Sequence, residues 1–263
     1  RVAAREVGQQ RSDLPLWALR PGPGADGAAS AAVAAFPFLA AGGGDAVSGS
    51  SVGSRPPVVR RDLPGVAGGF QLLGVLSPEE CRGIVEVLDA LGFHADAAVS
   101  LPYSFRHMTN CNLVAPEELD DEIFRRCRHL LPDVAGCPAL GLNAKFRCYR
   151  YGPGDYFRPH TDGAWPGTRM RDGEVAQDAY GDRLSQLTFL ILLTEGYEGG
   201  ETRFLDGPAD PLGVSVRTPA GGVLCFPHGM HPDSPLHEGS EVRSGAKYMI
   251  RTEVLYSLRA LGP

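Results

Sequence analysis

Lysine is nearly missing from this chain. Of its 25 basic residues only Lys145 and Lys247 are lysine, and the other 23 are arginine. Other things are missing too, and each absence excludes something. The six cysteines form no CxxC pair and no Cys/His cluster at zinc-finger spacing, and no HExxH is present, which argues against a zinc module or a zinc hydrolase. No Asn-x-Ser/Thr acceptor marks a secreted glycoprotein, so reduced thiols and an intracellular setting are expected. No apolar run reaches the ~18 residues of a membrane span, so no membrane partner is expected. A net charge of −6 argues against a general nucleic-acid binder. What is present is a globular balance, 43% hydrophobic and 21% charged.

Glycine and proline are abundant, 34 and 22, but unevenly spread. Residues 1–69 hold 12 Gly and 7 Pro and read as a low-complexity, flexible N-terminal tail. Its arginines outnumber its acids, in the manner of a transit segment, and the opening on Arg1 rather than Met suggests a trimmed chain. Two motifs in the tail are decoys. Gly22-Pro-Gly24-Ala-Asp-Gly27 fits a dinucleotide loop and Gly49-Ser-Ser51-Val-Gly53 a nucleophile elbow, yet neither has the strand and helix that would make it work.

From Phe70 onward order is expected. Ser77-Pro-Glu-Glu80 is a capping box, and Cys81, Ile84, Val85, Leu88 and Leu91 form the apolar face of a helix that Gly92 ends. A second helix is predicted from Pro116 to Leu130, so residues 77–131 form a helical support region. Short β-rich segments then succeed one another within 145–256: Lys145–Tyr151, Ser185–Leu193, Thr202–Leu205, Val214–Arg217, Gly222–Phe226 and Ala246–Leu255. Helices followed by many short strands predict a mainly β fold with supporting helices.

His160-Thr-Asp162 stands in an extended stretch after the Gly152–Asp155 turn, and residues two apart project to the same side. One imidazole and one carboxylate can thus converge, and His228, His231 or His237 could complete a facial set for non-haem iron. The Lys247–Tyr256 run alternates as a strand, with Lys247, Met249 and Arg251 on one face. A lysine on the inner face of a small barrel demands an anion, and its choice in so lysine-poor a chain favours a point charge over a planar fork.

Taken together, these elements resemble the Fe(II)/2-oxoglutarate-dependent oxygenases of the prolyl 4-hydroxylase type. The resemblance rests on Tyr151-Gly-Pro-Gly154 leading into His160-Thr-Asp162, Arg183…Thr188–Leu193, Glu198-Gly-Gly-Glu-Thr202, Pro219–Phe226, and His237-Glu-Gly with Lys247 ten residues on. It implies a double-stranded β-helix (jelly-roll, cupin-like) barrel within a catalytic domain at 70–263. His160, Asp162 and His237 would hold Fe(II), leaving His228 and His231 as loop residues at the mouth. Lys247 would meet the distal carboxylate of 2-oxoglutarate with Arg251 as second choice, while Thr188, Tyr151 and Tyr149 would contact the cosubstrate. It further implies L-ascorbate as reductant and hydroxylation of a peptidyl proline, or of a small molecule or nucleobase, with release of succinate and CO2. A non-catalytic metal-binding barrel is the reading of another class. Phe157 departs from the family, whose members often carry Tyr there, and the Gly163–Asp182 segment is long enough for a lid.

Overall fold

Order begins upstream of Phe70. The structure, a computed structural model, describes residues 16–18, 57–95, 104–207 and 212–261. Strands β1 (Leu16–Ala18), β2 (Val59–Asp62) and β3 (Phe70–Leu73) precede helix α1 (Pro78–Leu91). Strands β4 (Arg106–His107) and β5 (Thr109–Val114) lead to α2 (Glu117–Cys127). Then come β6 (Gly141–Leu142), β7 (Lys145–Tyr151), β8 (Tyr156–His160) and the β9 (Arg169–Arg171)/β10 (Glu174–Ala176) hairpin. The rest is mostly strand: β11 (Arg183–Leu192), β12 (Glu198–Gly199), β13 (Thr202–Leu205), β14 (Val214–Val216) and β15 (Val223–Pro227). After these come β16 (Leu236–Gly239), β17 (Val242–Ser244) and β18 (Lys247–Ser257).

The boundary drawn at Phe70 falls inside a sheet. β2 pairs with β3 from Val59↔Leu73 to Asp62↔Phe70, and β1 pairs with β5 in parallel. Glycine and proline counts hid the edge strand because they average over a stretch in which four residues suffice to pair. The two decoy motifs and most of the low-complexity stretch lie outside the described residues.

Helix α1 forms as its sequence dictates. The Ser77 hydroxyl accepts from the Glu80 backbone N–H, and the Glu80 carboxylate accepts from the Ser77 N–H. Ile84 and Leu88 are 2% and 1% exposed, and burying each contributes about 1.5–3 kcal/mol. Helix α2 ends earlier than predicted, at Cys127, and Arg128–Leu130 tightens into a 3-10 turn.

The strands make the jelly roll. The major sheet runs β1-β5-β7-β18-β11-β15-β3-β2, with β6 also on β18, and the minor sheet runs β14-β13-β16-β8-β4. Alternation gives the major sheet two faces. Phe146, Cys148, Phe189, Ile191 and Ile250 join Ile84, Leu88, Leu119 and Ile123 in the core shared with the helices. Tyr149, Tyr151, Leu190, Leu192 and Met249 face the other way and pack with Phe204 and Phe226 in a second core. All six cysteines are free thiols in the structure. Among the described residues no helix is long and apolar enough to cross a membrane.

Candidate active site

His160 ends β8, and His237 lies directly opposite it on the antiparallel strand β16. Asp162 follows two residues later. One ligand atom from each of the three lies within 4.8 Å of the others. His160 Nε2 is 3.8 Å from Asp162 Oδ1, and His237 Nε2 is 3.8 Å from Oδ2. Each imidazole bonds through Nδ1 to the carbonyl oxygen two residues before it, Arg158 O at 2.8 Å and Pro235 O at 3.1 Å. A carbonyl can only accept, so Nδ1 carries the proton and Nε2 presents its lone pair to the cluster.

The electrostatics suit a cation. Burial pushes His160 down to about 3, reinforced by His237, and burial also lowers His237, so both rings are neutral ligands at physiological pH. Burial alone would raise Asp162, but Arg251 and the two imidazoles outweigh it and hold the carboxyl well below the usual carboxylate range. Two neutral imidazoles and one carboxylate, clustered to one side with open space beyond, fit Fe(II).

That open space is a cavity. His160, Asp162 and His237 line it together with Tyr149, Tyr151, Phe157, Lys247 and Arg251. Lys247 is 4% exposed and donates to Gly200 O at 2.7 Å. Arg251 Nη2 is 3.2 Å from Asp162 Oδ1 and 3.6 Å from Glu253 Oε1. Residues 146–252, which contain every one of these groups, match the family model of the 2OG-Fe(II) oxygenase superfamily. That stretch is a 2OG-Fe(II) oxygenase domain.

No curated protein matches the chain. Among solved structures it is similar to the viral collagen prolyl hydroxylase of Paramecium bursaria Chlorella virus-1 in its 2OG complex. Identity is 22% over 73% of this chain and 97% of that one, with a TM-score of 0.49. It is also similar to a Pseudomonas putida prolyl-4-hydroxylase, at 19% identity over 71% and 91% of the two chains and a TM-score of 0.46. A third is a Trichoplax adhaerens prolyl hydroxylase with a hypoxia-inducible-factor peptide, at 16% identity over 74% and 87%, TM-score 0.49. None of these similarities assigns a substrate to this chain. Fe(II) and 2-oxoglutarate are the cofactor and cosubstrate of the family.

In the oxygenase domain His160, Asp162, His237, Lys247, Arg251, Tyr149 and Tyr151 come together as the sequence suggests. Thr188 does not. It is fully buried, and its hydroxyl lies 2.7 Å from Asp162 Oδ2 and 2.8 Å from His228 Nδ1. It orients the carboxylate rather than touching the cavity.

His228 is likewise no mouth residue. It has no exposed surface, and its Nε2 pairs with Ser185 Oγ at 2.8 Å. The Gly/Pro-rich neighbours suggested a loop, but the His228 N–H still donates to Gln186 O at 3.0 Å, continuing the β15/β11 pairing past Pro227. His231 does sit in that loop, partly exposed beside Asp233. Glu253 was missed in the sequence. It is fully buried and takes Arg147 Nη1 at 2.5 Å and Asn143 Nδ2 at 2.9 Å. Its parity with Lys247 and Arg251 was the available signal. Phe157, where a tyrosine was expected, stacks on His160 with ring centroids 3.6 Å apart.

The Gly163–Asp182 segment is pinned. Arg169, on the β9 strand, makes a bidentate pair with Asp120 of α2, both contacts 2.6 Å.

Proposed function

We propose that the chain hydroxylates a C–H bond of a peptidyl proline, with 2-oxoglutarate oxidised to succinate and CO2. One atom of O2 enters the hydroxyl and the other the succinate, and ascorbate serves as reductant. The reading is supported above all by one observation: the His160/Asp162/His237 cluster opens into a cavity that ends on a buried lysine. Fe(II), when bound, supplies an open coordination face for the cosubstrate and oxygen.

The residues divide the remaining work. Thr188 orients Asp162 by a hydrogen bond while Arg251 balances its charge, and the two backbone carbonyls fix the imidazole rings. Lys247 anchors the distal carboxylate of 2-oxoglutarate, and Arg251 does not. Arg251 already faces two carboxylates, whereas Lys247 bonds only the neutral Gly200 carbonyl, so its charge is the one an incoming anion answers. Tyr151 flanks that end of the cavity and Tyr149 lines it beside Arg251, and both are assigned to cosubstrate contact. The catalytic domain in this reading includes the Val59–Asp62 strand and the Leu16–Ala18 strand that pairs with β5.

The test is succinate release from 2-oxoglutarate after anaerobic loading with Fe(II) and admission of oxygen. Oxygen-dependent release that disappears in Asp162→Ala is expected. No release by the wild type, or release that survives Asp162→Ala, sinks the oxygenase reading. A gain of 16 daltons on proline-containing peptides tests the substrate.

A further inference from the structure

The second of the two lysines lies in a second cavity. Lys145 and Arg147 form its floor, on the same face of β7 as Tyr149 and Tyr151. Trp165, Pro166, Thr168 and Gln177, from the segment after Asp162, close over it and leave a volume of about 120 Å³. Arg147 has its counter-charge in Glu253 and lies under the Trp165 ring, 4.8 Å from its centroid.

Lys145 has none. It is 7% exposed, and among the described residues no hydrogen-bond or ion-pair partner meets its ammonium. Glu253 acts on it only at a distance and is already shared by Arg147, Asn143 and Arg251. The Trp165 indole N–H is buried with no acceptor. An unpartnered ammonium that opens on the cavity and, beside it, a buried indole N–H without an acceptor border a space open enough for a ligand. Such groups are costly unless something answers them, and a full positive charge calls for an anion rather than for water alone. Burial, with Arg147 adding to it, lowers Lys145 to about 8, which leaves the ammonium charged at neutral pH.

We propose that this cavity is a carboxylate-binding subsite for the molecule being hydroxylated, with the Lys145 ammonium and the Trp165 N–H as its donors. A carboxylate brings one negative charge to one unanswered positive charge. A phosphate dianion would leave an excess beside Glu253. The position follows from register. Lys247 is paired with Tyr151 at one end of the β7/β18 face, Arg251 with Arg147 further along, and Lys145 lies two residues beyond. Asp162 meets this row at Arg251. The two lysines therefore flank the iron ligands along one face. With 2-oxoglutarate at Lys247, the Lys145 end is left for the substrate. That last step rests on the oxygenase reading; the anion site itself does not.

Trp17 and Trp165 are the only tryptophans, so Trp17→Phe leaves Trp165 as sole reporter. In this background, without iron or 2-oxoglutarate, emission is titrated with propionate and with uncharged propionamide. A saturable change with propionate alone is expected, at least tenfold weaker in Lys145→Met, retained in Lys145→Arg and unaffected by Lys247→Met. No response, an equal response to the amide, or unchanged affinity in Lys145→Met overturns the subsite. With Fe(II) and 2-oxoglutarate, proline peptides bearing Glu or Gln beside the proline are then compared with free short acids as stimulants of succinate release. A preference for Glu peptides identifies an acidic side chain as the source, and stimulation by free acids alone a small-molecule substrate. Stimulation that ignores the carboxylate in both sets overturns the substrate assignment. Propionate binding lost with succinate release intact removes only the subsite, and the reverse outcome removes only the oxygenase reading.

Discussion

Replacing Lys247 with methionine should make the protein more stable and a worse enzyme at once. Burial, with Arg217 reinforcing it, depresses the Lys247 ammonium from 10.5 to about 8. At 1.36 kcal/mol per pH unit, holding the charge in the folded state costs about 3 kcal/mol. The variant also loses the bond to Gly200 O, worth about 1 kcal/mol. A net gain of about 2 kcal/mol remains, or roughly 4–8 °C in Tm for a chain of this size.

The sign depends on pH. Below about 8 the lysine is charged both folded and unfolded, so the full cost is present and the variant gains most. Between about 8 and 10.5 the unfolded chain binds the proton that the folded one has released, and the advantage fades. Function moves the other way. A charge-assisted bond to a carboxylate contributes about 1.5–3 kcal/mol, so affinity for 2-oxoglutarate should fall about 10- to 100-fold. Thermal melts without 2-oxoglutarate at pH 6.5 and 9.5, beside calorimetric titration of the Fe(II)-loaded protein with 2-oxoglutarate, measure both effects. A variant that melts lower at pH 6.5 and binds 2-oxoglutarate as the wild type does would overturn this role for Lys247.

In the wild type, 2-oxoglutarate binding should weaken up to tenfold per pH unit above about 8, because the free enzyme loses the ammonium that the anion needs; titrations across pH 7–10 check it. Thr188→Val removes the hydroxyl that fixes Asp162 and should weaken Fe(II) binding about 10- to 100-fold by equilibrium dialysis, with little change in the fold. Arg169→Ala leaves Asp120 buried and unpaired and should cost about 3–5 kcal/mol in denaturant unfolding. The double replacement Arg169→Met with Asp120→Leu should restore most of that loss. Ser77→Ala breaks the capping box of α1 and should cost about 1 kcal/mol by the same measurement.

Features that depend only on neighbours along the chain are legible without the fold. The capping box, the two-residue step from His160 to Asp162, and the parity that puts Lys247, Met249 and Arg251 on one face are set by local geometry, and all survive in the fold. The family resemblance, itself a matter of motif order and spacing, gave the third ligand. How those groups meet depends on long-range contacts. That His237 completes the cluster follows structurally from its pairing opposite His160, a cross-strand register that no spacing along one strand contains. The same holds for Thr188, whose partner Asp162 lies 26 residues away, and for His228, dismissed as loop although it is buried against Ser185 and Thr188. The scarcity of lysine singled out Lys247, but the strand face cannot say which of its two cations is free to take an anion. The proposed choice of Lys247 rests on burial and counter-charge, and both arise only when β7, β11 and β18 close around the site. Lys145 shows the same logic in the other direction, since nothing in its local sequence reveals that its side chain is buried and its ammonium unpartnered at a cavity.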